Sequence, residues 1–177
     1  MSASSRKKPL LLVDGYNLIR SGGHYAVEEV DDFDDDPINR VREHLIADVA
    51  AFAQERYEAV IVFDGGGNEY SEGKPVKTAG ISVIFSAADT EADEVIERLS
   101  FKAQRDGREV LVVSSDWDVQ NATFKNGVTR MSAIGFVHEM DDINEDLHES
   151  AANYGKFTLG GRLDPDTRAK LEQMLRG

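Results

Sequence analysis

The chain has 177 residues, 41% of them hydrophobic and 30% charged, with a net charge of −13 and no cysteine. That length fits one domain with a proper core, and the missing cysteine excludes disulfides, disulfide-linked partners and thiolate metal sites. The longest apolar run, Pro9 to Val13, falls far short of the roughly 20 residues a membrane span needs, so the chain reads as a soluble, cytoplasmic protein.

Residues 1–8 read as a flexible tail, and the first strand is predicted at Leu10–Val13. The acidic run from Asp31 to Asp36 reads as a solvated loop, recruitment of a basic partner being the alternative. Asp36 is the expected N-cap and Pro37 the first residue of a helix with Ile38, Val41, Leu45, Val49 and Phe52 on one face. Strands follow at Ala59–Phe63 and Ile81–Phe85. The next helix, Glu91–Arg105, turns Ala92, Val95, Ile96 and Leu99 inward and stops at Asp106-Gly107. A strand at Glu109–Val113 precedes a third helix, expected after Asn126-Gly127 with Met131, Ile134, Phe136, Val137 and Met140 apolar. The helical pattern weakens through Asp141 to Ser150, and a last short helix starts at Asp164-Pro165 with Leu171 and Leu175. The strands are continuous apolar runs, the signature of parallel strands buried on both faces, and their alternation with helices implies an α/β fold. The expected organisation is a domain over residues 9–155 and an extension over 156–177.

Ligands of open parallel sheets bind beyond the carboxyl ends of the strands. Asp14 follows the first strand, Asp64 the second, Asp89 the third at a short distance, and Asp116 and Asp118 the fourth. One such aspartate is ordinary, because Asp favours turns and caps; four strands in succession delivering one is not. Asp93 joins the set from the first turn of the Glu91–Arg105 helix, where Glu91 and Glu94 have the simpler use of complementing the helix dipole. Carboxylates so crowded repel one another until a cation arrives. Mg²⁺ suits them, since it takes oxygen ligands, keeps several waters and binds through one or two carboxylates plus substrate phosphate. Such an ion activates water and stabilises a leaving oxygen, so phosphodiester hydrolysis is the natural reaction class.

The segment Leu11-Leu12-Val13-Asp14-Gly15-Tyr16-Asn17-Leu18-Ile19 resembles the opening motif of the NYN family, a PIN-like nuclease group, in its YacP-like branch. The likeness continues at Val62-Phe63-Asp64, at Thr90 to Glu97, at Ser115-Asp116 with Gln120, and from Gly155-Lys156 to Arg176-Gly177. The resemblance implies a three-layer PIN-like fold with a mainly parallel sheet of about four to six strands. It also implies an endoribonuclease for single-stranded RNA using Mg²⁺ or Mn²⁺, with some relatives tied to translating ribosomes. Carried over by position, it makes Asp14, Asp93 and Asp116 catalytic metal-site residues and Asp64 a further ligand, with Asn17 positioning substrate or metal water. Asp118 and the acidic run depart from the family pattern, and Asp118, like Asp89, leaves the ligand set open.

Tyr16, Arg20, Lys74, Lys77, Lys125 and Arg130 are candidates for tracking RNA, with Trp117 as a second stacking platform; each also has the plainer reading of a packed ring or a surface charge. Gly65-Gly66-Gly67 lacks the lysine and hydroxyl of a P-loop and reads first as a mobile loop. The four histidines, His24, His44, His138 and His148, show no pairing or ligand spacing. A non-catalytic RNA- or ribosome-binding module is the main rival to the enzyme. A phosphatase or a receiver-like switch using Asp14 lacks the second acid each requires, Tyr16 standing two positions on.

Overall fold

The computed structural model describes residues 7–21, 23–25, 36–66, 71–116, 119, 121 and 128–156. The chain divides into two compact units, Met1–Met140 and Asp141–Gly177. The first holds a sheet of β1 (Leu10–Asp14), β2 (Glu58–Phe63), β3 (Val76–Thr78), β4 (Ile81–Phe85), β5 (Val110–Val113) and β6 (Thr129–Met131), in the order β3-β4-β2-β1-β5-β6. All neighbours run parallel except β3 with β4. The helices are α1 (Gly15–Arg20), α2 (Pro37–Ala53), α3 (Ala92–Arg105) and α4 (Ala133–Lys156). The described residues of the second unit, 141–156, are helical.

The four continuous apolar runs become the four central strands because burial on both faces leaves no polar side to alternate with. Alternate residues then serve two layers. Leu10, Leu12, Val60, Val62, Val110 and Val112 pack with Val95, Ile96 and Ala103 of α3. On the other face, Phe63 meets the ring of Tyr16 on α1, with centroids 5.1 Å apart, and Phe52 of α2 meets Phe136 of α4 at 4.7 Å. This is the expected three-layer α/β arrangement, with helices on both sides of a mainly parallel sheet.

The sequence reading departs from the structure at the edges. β3 is exposed at all three residues and β6 is at most partly buried, so neither carries the apolar run that marked the central strands. The third helix begins after Gly127 but does not include Met131, which belongs to β6, the strand Thr129–Met131 that pairs with β5. The helix starts at Ala133 because the Ser132 side chain accepts the Gly135 N–H at 3.1 Å, as an N-cap does. It then runs on to Lys156, through the stretch where the helical pattern weakens. At α2 the expected cap is present, the Asp36 carboxylate accepting from the Asn39 N–H at 3.0 Å. The rest of the acidic run and the Asp164-Pro165 helix lie outside the described residues.

Candidate active site

β2, β1 and β5 lie side by side at the centre of the sheet, so whatever follows each strand is delivered to a shared rim. There Asp14, Asp64, Asp93 and Asp116 line one open cavity of about 220 Å³, together with Tyr16, Asn17, Arg20 and Glu91. Asp89 is exposed and does not line it; β4 is represented at the rim through the start of α3 instead. Asp118, Trp117, Lys125 and Gln120 lie outside the described residues. Arg130 sits on β6 and Lys77 on β3, both away from this cavity.

Asp14 is the most buried of the four aspartates. It ends β1, is 8% exposed, and caps α1 by accepting the Asn17 N–H at 3.1 Å. The buried Ser114 hydroxyl stands 3.5 Å from its other oxygen and accepts the Asp116 N–H at 3.1 Å, joining the ends of β1 and β5. Burial pushes the Asp14 carboxyl above its ordinary range; the Asn17 N–H and Ser114 hydroxyl oppose this, the Asp116 charge adds to it and Arg20 opposes it. Gly15 follows because no side chain fits there, a Cβ falling 2.3 Å from the Phe63 ring.

Asn17 has a use that its place in the motif did not disclose. Its side-chain oxygen accepts the Ser115 N–H at 2.7 Å, and the Ser115 hydroxyl accepts the Ala133 N–H at 3.0 Å. Asn17 therefore holds the loop that carries Asp116. Tyr16 is half-buried on Phe63; its hydroxyl accepts from Arg42 at 3.0 Å and Arg20 lies over its ring at 5.7 Å.

Glu91 lines the cavity although sequence reasoning left it to the helix dipole. It is the N-cap residue of α3 yet makes no capping hydrogen bond with its side chain, so the carboxylate is not consumed by the helix. Ser114 was missed too, since a serine after a strand carries no signal of its own. The first two glycines of the run do not offer bare amides, the Gly65 N–H donating to Ser86 Oγ at 2.9 Å and the Gly66 N–H to Asp64 at 2.7 Å, and Gly67 lies outside the described residues. The histidines are less scattered than the sequence implied. His24 stacks beside His44 at 6.3 Å between centroids, both flank Asp48, and the buried Tyr25 donates to that carboxylate at 2.9 Å.

Among the described residues no three carboxylates or imidazoles form a ready-made ligand cluster. The donors at the rim are all oxygens, and they fit an ion that keeps several waters and takes few direct protein ligands, which is the habit of Mg²⁺ and not of Zn²⁺. Asp14 and Asp116 are the pair whose mutual repulsion such an ion would relieve.

A family model described as the YacP-like NYN domain matches residues 11–176. A protein of Bacillus subtilis (strain 168) named "Uncharacterized protein YacP" is 30% identical over 135 residues, 76% of each chain. The crystal structure of Rae1 (YacP) from Bacillus subtilis superposes with a TM-score of 0.65 at 26% identity, over 95% of each chain. A point mutant of that protein gives 0.64 at 26% identity, over 82% of each.

Proposed function

Because the chain belongs to the YacP-like NYN domain family, whose members are of nuclease type, we propose that it is a metal-dependent endoribonuclease cutting single-stranded RNA. The observation that carries this reading is the meeting of Asp14, Asp64, Asp93 and Asp116 around one cavity, drawn from positions far apart in the chain. A bound Mg²⁺ or Mn²⁺ would supply Lewis-acid polarisation of the phosphate and an acidified water. Asp14 and Asp116 are the residues proposed to hold it, with Asp93 and Asp64 completing the oxygen donors. Asn17 fixes the Asp116 loop through Ser115. Arg20, the cation of the cavity wall, is suited to orienting a phosphate oxygen. Asp14 is a poor candidate for a covalent nucleophile, since it is buried and accepts the Asn17 N–H that caps α1.

The net charge of −13 works against holding RNA by backbone neutralisation. We therefore propose that a larger assembly, the translating ribosome, presents the mRNA, and that the protein acts in the cytoplasm. Among the described residues no helix is long and apolar enough to cross a membrane. The second reading, a non-catalytic RNA- or ribosome-binding module, draws on the absence of a preassembled ligand cluster among those residues.

Incubating the protein with single-stranded RNA, and separately with translating ribosomes, in Mn²⁺ or EDTA tests both. New ends that appear only with metal support the nuclease. Binding without metal-dependent ends in either sample supports the module.

A further inference from the structure

We propose that the larger cavity adjoining the acidic site seats one nucleotide of the RNA strand, its base against Phe85 and Val76 and its phosphate against Arg42. The inference rests on the RNA reading above and names a subsite for it. The cavity is about 710 Å³ and shares Tyr16 and Asp64 with the aspartate cavity, so a strand lying across the carboxylates runs directly into it. Its size is that of pockets which enclose small organic ligands, roughly 300–1,000 Å³.

Its walls divide by chemistry in the way a nucleotide does. Phe85 is a half-buried ring already stacked on Phe63, with centroids 5.3 Å apart, and Val76, 62% exposed, lines the same cavity. A base seated here meets the apolar surface of Val76 and the part of the half-buried Phe85 ring that Phe63 and Arg42 leave open, contacts that tolerate any base. Of the charged groups in the lining, Lys74 and Glu72 pair with each other and Asp64 also faces the acidic site, which leaves Arg42 for the phosphate: its side chain is 19% exposed and its guanidinium lies 5.5 Å above the Phe85 ring.

The bonding of Arg42 is incomplete. Nη1 donates to the Tyr16 hydroxyl at 3.0 Å, whereas Nη2 makes only longer contacts, 3.3 Å to Asn39 and 3.5 Å to Asp36, and the buried Nε has no partner. A largely buried guanidinium normally fills its five donors. An incoming phosphate offers Nη2 the short charge-assisted bond that Asp36 and Asn39 give poorly. Arg42 also connects the two cavities, because the tyrosine it holds forms the wall between them.

The test is an amide NMR titration of the full chain with the dinucleotide UpU in EDTA, so that no cleavage intervenes. Shifts at Gly65, Gly73, Lys74 and Val76 are expected, with affinity falling about tenfold or more in Arg42→Ala, the loss typical of a charged hydrogen-bonding group. Val76→Glu puts a carboxylate on the exposed lip without touching the core and should weaken binding similarly, while Phe101→Glu on the outer face of α3 leaves it unchanged. Unaltered UpU affinity in both cavity variants overturns the inference, as does a wild-type protein whose shifts avoid this cavity. Binding here by a protein that cuts no RNA in Mn²⁺ upholds the subsite and rejects the nuclease; cutting without binding here does the reverse.

Discussion

Asp14 and Asp64 occupy the same place in the logic of the fold, each following a buried central strand, yet the structure treats them differently. Asp14 is 8% exposed, accepts the N–H that caps α1 and is tied through Ser114 to Asp116. Asp64 is exposed, and its bond comes from Gly66 two residues on, a turn that closes on itself. The difference shows that position at a strand end decides only which residues reach the rim. Bonding to other elements decides which of them the site is built around.

The comparison is sharpened most by Asp14→Asn. Asparagine caps a helix as well as aspartate, so the fold persists, while cleavage mapped on RNA in Mn²⁺ should fall at least about 10³-fold, as for removal of a central catalytic group. Asn17→Ala should cost less, roughly 10–100-fold, the usual effect of losing a residue that orients a metal ligand. Its signature is partial rescue by high Mn²⁺, which compensates a weakened site by mass action and which Asp14→Asn does not share. Asp64→Asn should lower cleavage by about tenfold or less with an unchanged melting temperature; a loss equal to that of Asp14→Asn would erase the distinction between the two aspartates.

The smallest expected effect is thermal. Burial holds the Asp14 carboxyl above its ordinary range, so the stability tied to its protonated form is complete below about pH 4 and is lost as pH rises through the folded-state value. Asp14→Asn should therefore melt higher than wild type near neutrality, with the gap closing on acidification. Added Mg²⁺ should also narrow the gap by stabilising wild type alone. A gap of constant size from pH 3 to 8 would show that the carboxyl is not perturbed in the way its burial implies.

Much of the architecture was legible because hydrophobic runs and caps are local signals. The strands of the sheet centre, the Asp36-Pro37 start of α2 and the Asp106-Gly107 end of α3 all announce themselves within a few residues. The edge strands β3 and β6 do not, since their pairing comes from neighbours and their residues are exposed or only partly buried. The rim aspartates were legible for a topological reason: parallel strands all point their carboxyl ends one way. What stayed hidden are contacts across long separations, such as Asn17 with Ser115, 98 residues apart, and His24 beside His44. Glu91 was concealed by a different ambiguity, because an acid at a helix start satisfies the dipole whether or not it also faces a cavity.

The bond between Asn17 and Ser115 also bears on when the proposed cutting site comes into being. The set of rim acids runs from residue 14 to residue 116, and β1 needs β5 beside it before Asp14 and Asp116 can meet. Contacts of such high sequence separation form late, after the entropy of closing a long loop has been overcome. A nascent chain still short of β5 holds only fragments of the set, so any cutting power arrives with the completed sheet and not during its synthesis.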